Sequence, residues 1–111
     1  TNNKPSYPPY DIVELEDGEV NLLNVAVAGF TKEELSVTLH WDSTLIIQGK
    51  QKDKQRGDVL YQGIATRDFT LELAVAEHWK LTNAKLDNGM LTIQFNKEIP
   101  EELKPKVIDI K

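Results

Sequence analysis

Acid–base and nucleophilic groups are sparse in this chain. It carries two histidines, His40 and His78, and no cysteine. A histidine base needs a nucleophile within hydrogen-bond reach and a third group to orient it. His40 alternates with apolar residues on the polar face of a strand pattern, and His78 stands beside Trp79 in an irregular stretch. Neither belongs to a recognisable Ser, His and Asp arrangement. Without cysteine there is no thiolate zinc site, and two histidines are too few for a dedicated transition-metal centre. Adjacent carboxylates occur at Glu33 with Glu34 and at Glu101 with Glu102, a pattern that usually marks solvated surface. No Gly-rich phosphate loop is present. The expectation is a non-enzyme with no cofactor and no metal.

The chemistry the chain does offer is apolar binding. Its last residues run Lys104-Pro105-Lys106-Val107-Ile108-Asp109-Ile110-Lys111. In an extended chain residues i and i+2 share a face, so Ile108 and Ile110 project together as two knobs. A segment this short cannot bury them within itself. Two destinations are open: a last strand of their own domain, or a groove on another copy.

Bulk properties agree with a binding module. At 111 residues the chain is one domain, with 40% apolar and 28% charged residues. A net charge of −5 argues against nucleic-acid binding through phosphate neutralisation. No apolar run approaches the roughly 20 residues that span a bilayer. The absence of cysteine fits a reducing cytoplasm.

The elements that must position these residues are strands. Thr1 to Pro9 holds three prolines and reads as an extended tail. Tyr10–Leu15 is a short strand, and Val20–Ala28 is apolar at nearly every position, as for a strand covered on both faces. Thr31-Lys32-Glu33-Glu34 matches a capping box over a single helical turn. Leu35, Val37, Leu39 and Trp41 alternate with polar residues, as do Phe69, Leu71, Leu73 and Val75. Thr44–Gln48, Leu81–Leu86 and Leu91–Phe95 complete the strand set, the last two joined by Asn88-Gly89, a positive-φ turn. Ala76–Lys80 reads as one irregular turn. Lys50–Asp58 has no apolar residue, and Val59-Leu60-Tyr61 is an apolar island beyond it. Six or seven strands with turn signals about every 8–12 residues predict an antiparallel immunoglobulin-like β-sandwich.

Several stretches together resemble the α-crystallin domain of small heat-shock proteins. Ala84-Lys85-Leu86-Asp87-Asn88-Gly89-Met90-Leu91 is similar to the family's A-x-x-x-n-G-v-L signature. Val27-Ala28-Gly29-Phe30 with Glu34-Leu35, Leu45-Ile46-Ile47-Gln48-Gly49, and Arg67-Asp68-Phe69 resemble three further family stretches. Ile108-Asp109-Ile110 resembles its I-x-I anchor. Pro8-Pro9-Tyr10 and Tyr61-Gln62-Gly63-Ile64-Ala65 look like the bacterial inclusion-body-binding subgroup, and phage relatives would look the same. The chain departs from most members in carrying Leu73-Ala74-Val75-Ala76 where they have Leu-Pro, and in having few residues before Tyr10.

The resemblance implies an organisation and a function. Residues 1–9 would be an N-terminal tail, expected to be truncated, 10–99 the α-crystallin domain and 100–111 an extension bearing the anchor. The function would be ATP-independent holding of unfolding client proteins by a cytoplasmic chaperone. Ile108 and Ile110 would dock on a neighbouring copy, in a groove between the strand of Leu35, Val37 and Leu39 and that of Leu81 and Asn83. Val59, Leu60 and Tyr61 would form a strand exchanged between the two subunits of a dimer, and Arg67 would meet a carboxylate at that interface. The other possibility is a monomeric co-chaperone or scaffold sandwich that binds one specific partner.

Overall fold

The computed structural model describes residues 7–52, 57–63, 67–99 and 105–111. Seven strands are found among them: β1 (Tyr10–Leu15), β2 (Val20–Ala26), β3 (Leu35–Leu39), β4 (Thr44–Gly49), β5 (Phe69–Ala74), β6 (Trp79–Asp87) and β7 (Met90–Lys97). They form two antiparallel sheets, β1-β2-β7-β6 and β3-β4-β5. The only helical pieces among the described residues are two three-residue 3₁₀ turns, Glu16–Gly18 and Lys32–Glu34.

Alternation explains which row of each strand turns inward. Leu23 lies opposite Ile93 and Val25 opposite Leu91 in the first sheet. Leu45 lies opposite Leu73 and Ile47 opposite Leu71 in the second. These rows meet face to face, and Val25, Val27, Leu45, Ile47 and Ile93 lose almost all contact with solvent. Each such burial contributes about 1.5–3 kcal/mol, offset largely by the entropy of ordering the chain.

Two glycines permit close approach. Gly49 faces Phe69 across the β4–β5 ladder, and the Phe69 ring occupies the space a β-carbon there would need. Gly89, at φ +74° after Asn88 at φ +51°, closes the two-residue β6–β7 hairpin, which demands positive φ at both positions. The Gly89 carbonyl accepts the Val27 N–H at 2.8 Å, tying the hairpin to the end of β2.

The strands depart from sequence expectation in three places. β2 ends at Ala26 and is not covered on both faces: Leu23, Val25 and Val27 are buried, whereas Leu22, Asn24 and Ala26 are half-buried. Its other row lies on the outer side of the sheet, where the cross-strand Thr92 hydroxyl bonds to Asn24 Oδ1 at 2.9 Å. β3 stops at Leu39 because the chain turns early. The Ser43 N–H donates to the His40 carbonyl at 2.9 Å, and the Thr44 N–H to Asp42 Oδ1 at 3.1 Å. Trp41 is left 96% exposed at that turn. The stretch read as one irregular turn is shorter, since β6 already begins at Trp79 after His78 at φ +72°. Val59-Leu60-Tyr61, expected to exchange between subunits, forms no strand among the described residues of its own subunit.

Candidate assembly and binding surfaces

The capping turn sets the start of β3. The Thr31 N–H donates to Glu34 Oε1 at 2.8 Å, and the Lys52 N–H donates to Glu34 Oε2 at 2.9 Å. The Lys50 N–H adds a bond to the Glu34 carbonyl at 2.9 Å. One carboxylate thus clasps the turn before β3 to the segment after β4. The two backbone N–H groups, from Thr31 first and Lys52 second, hold the Glu34 carboxyl below its ordinary pKa.

Among the described residues β3 pairs only with β4 and β6 only with β7. Between these two edge strands opens a groove of about 370 Å³, lined by Lys32, Leu35, Val37, Ala84, Lys85, Leu86 and Leu91. Leu35 and Val37 line it. Leu39 is exposed at the end of β3, Leu81 is half-buried against the core, and Asn83 is exposed; none of these three lines it. For Leu81 and Asn83 the cause is a register shift between them. Leu81 lies opposite Phe95, but beyond the shift Ala84 meets Ile93 and Leu86 meets Leu91. The bulge exchanges the rows, so Ala84 and Leu86 line the groove. Its signal was legible in the spacing, where the apolar positions change from odd at Leu81 to even at Ala84 and Leu86.

Residues 105–111 form no strand. Ile108 is 82% and Ile110 98% exposed. The Cα radius of gyration, 18.9 Å, exceeds the ~13 Å of a compact chain of this length.

A second apolar region lies at β1, which among the described residues pairs only with β2. Ile12 is exposed although its row faces the other sheet, and Val13 and Leu15 are exposed on the opposite row. A cavity of about 230 Å³ opens beside Ile12, its apolar lining including Leu23, Leu45, Leu73, Trp79 and Phe95. Val59, Leu60 and Tyr61 are all exposed, Leu60 at 97%. Arg67 makes no ion pair among the described residues. Its guanidinium instead stands over the Tyr7 ring, 4.5 Å from the centroid.

His40 is exposed, and half-buried His78 stands 3.8 Å from Glu77. No group of three or more His, Cys, Asp or Glu able to hold a metal occurs among the described residues.

The model of the Hsp20/alpha crystallin family matches residues 13–111. The chain belongs to the Hsp20/alpha crystallin family. Among its relatives, the small heat shock protein IbpA of Pectobacterium carotovorum is 42% identical over an alignment of 112 positions that covers all of this chain and 80% of that protein. HspD of Bradyrhizobium diazoefficiens is 40% identical over 105 residues, 95% of this chain and 68% of its own length. A C-terminally truncated small heat shock protein AgsA from Salmonella typhimurium superposes with a TM-score of 0.75 at 37% identity, covering 95% of this chain and all of that one. A small heat shock protein from Synechococcus phage S-ShM2 follows with 0.70 at 25%, again over 95% of this chain and all of its own. The two-sheet sandwich is therefore the α-crystallin domain, and the resemblance carried by Ala84–Leu91 and Arg67–Phe69 was to the right family. No helix among the described residues of this Hsp20 chain is long and apolar enough to cross a membrane.

Proposed function

We propose that this chain is a holdase: it binds unfolding proteins without ATP, keeps them from aggregating, and acts in the cytoplasm. The observation that carries the reading is the pairing of two unsatisfied surfaces. An exposed Ile108–Ile110 tail projects from a domain that holds an open apolar groove between β3 and β6. Solvated apolar surface of this kind binds other apolar surface.

Assembly follows from the same surfaces. Ile108 and Ile110 of one copy dock in the groove of another, their knobs against Leu35, Val37 and Leu86. Two isoleucines contribute about 3–6 kcal/mol of burial, which barely offsets the cost of association. A single docked tail is thus weak, and only several tails acting together hold an assembly. Such an assembly opens and exchanges readily, freeing grooves for clients.

The dimer forms at β1. A strand added to its free edge has apolar surface on both sides, Ile12 on one row and Val13 with Leu15 on the other. Three consecutive apolar residues, Val59-Leu60-Tyr61, suit a strand covered on both faces. Exchange of this segment between two subunits supplies the backbone pairing that β1 lacks.

Heat-induced aggregation of a model client, followed by light scattering without nucleotide, tests the reading. Suppression by the assembled chain supports it. Monomeric protein that binds one partner tightly and leaves aggregation unchanged marks the chain as a specific binding module instead.

A further inference from the structure

Tyr7, Pro8 and Pro9 do not trail away from the domain. Pro8 is fully buried. The Pro9 carbonyl accepts the Ala26 N–H of β2 at 3.0 Å. The Tyr7 ring meets Phe69 of β5 edge to face, 6.0 Å between centroids at 84°. Three residues therefore reach from one sheet to the other. Phe69 continues the stack to Phe30, 5.4 Å away at 88°. The Arg67 guanidinium stands 4.5 Å over the Tyr7 ring, and the Arg67 N–H donates to the Tyr7 hydroxyl oxygen at 3.1 Å.

We propose that this segment occupies, within its own subunit, a slot for an aromatic side chain on extended chain, and that an unfolding client's tyrosine or phenylalanine takes the same slot. The proposal rests on the chaperone reading and names what the chaperone would recognise. Apart from the bond from the Arg67 N–H to the hydroxyl, which only tyrosine can accept, the contacts are generic. A cation over a ring face and a ring edge against a second aromatic suit any aromatic side chain. The Ala26 N–H bonds a backbone carbonyl, which every residue carries. Tyr7 shows what the slot accepts. Its own hold rests on one ring with its hydroxyl, one buried proline and the main-chain bond from Ala26 to Pro9, few enough contacts to be displaced. Arg67 acts as a positioning residue for whichever ring is present.

The tether explains why such a slot is quiet at rest. A segment a few residues from its site competes at an effective concentration of about millimolar. An outside segment sees only the fraction of molecules whose slot is open. Removing Tyr7 removes the competitor.

The test uses the full chain and a dye-labelled peptide of sequence Tyr-Pro-Pro-Tyr, the sequence at residues 7–10. Tyr7→Ala is expected to bind the peptide about tenfold more tightly than wild type, by release of the internal competitor. Tyr7→Ala with Arg67→Ala loses most of that gain. Hydrogen exchange at the Ala26 amide rises in Tyr7→Ala while the β2–β7 ladder stays protected. Equal peptide affinity in wild type and Tyr7→Ala overturns the slot. So does faster exchange along the whole of β2, which would make Tyr7 a structural residue only. Client aggregation measured alongside separates the two ideas. A wild-type chain that leaves aggregation untouched sinks the chaperone reading, and with it the client-binding proposal. Suppression with an indifferent peptide sinks the slot alone.

Discussion

Gly49 lies directly opposite Phe69 in the β4–β5 ladder, and the phenylalanine ring fills the volume that any side chain at Gly49 would claim. The same ring stacks on Phe30 and Tyr7, so it cannot swing aside without disturbing both. Gly49→Ala is expected to destabilise the domain by about 1–3 kcal/mol, the cost of overpacking a closed site. Urea unfolding followed by Trp79 fluorescence measures it. A midpoint unchanged from wild type would show that the ring yields freely.

Ile108→Ala combined with Ile110→Ala is expected to shrink the assembly and leave the melting temperature of the domain unchanged. Both side chains lie outside the core, so their loss removes docking and no internal packing. Sedimentation velocity of variant and wild type at equal concentration decides this. An undiminished particle would remove the tail from the assembly contacts.

Leu60→Asp is expected to convert the proposed dimer to monomer. Leu60 is exposed in its own subunit, so a charge costs the isolated fold little. Buried in an exchanged strand, the same carboxylate lacks a partner and costs several kcal/mol. Mass measurement at micromolar protein reads the outcome, and a dimer that survives argues against exchange of this segment.

Glu34 makes the turn before β3 sensitive to acid. Its carboxyl is held below the ordinary value of 4.5 by the N–H groups of Thr31 and Lys52. A folded-state pKa lower than the unfolded one means the contribution is fully present above 4.5 and is lost as pH falls through the lowered folded value. Wild type is therefore expected to lose melting temperature over that acid window more steeply than Glu34→Gln. Parallel slopes would show that the clasp adds no stability. Because the carboxylate is open to solvent, the effect is small.

Much of the fold was legible because burial on one face imposes period-two alternation. Leu91, Ile93 and Phe95 announced β7, and Asn88-Gly89 announced the hairpin before it. Thr31 and Glu34 announced the capped turn three residues at a time. The cavity between β3 and β6 is lined by Leu35 and Val37 on one side; on β6 the family resemblance named Leu81 and Asn83, whereas the register shift puts Ala84 and Leu86 there. A bulge inserts one residue, and every later side chain then changes face. Arg67 was named through the family resemblance as a dimer-interface residue; within its own subunit its guanidinium covers Tyr7, 60 residues away in the chain.

By itself the sequence determined the strand set, the family and the apolar pair at the tail, because alternation, turn chemistry and motif spacing are local properties that neighbours along the chain decide. Tertiary structure alone decided that Phe69 closes over Gly49 and that Tyr7 sits beneath Arg67. Those contacts join residues distant in the chain, and they depend on how two twisted sheets stack, a relation no short stretch encodes.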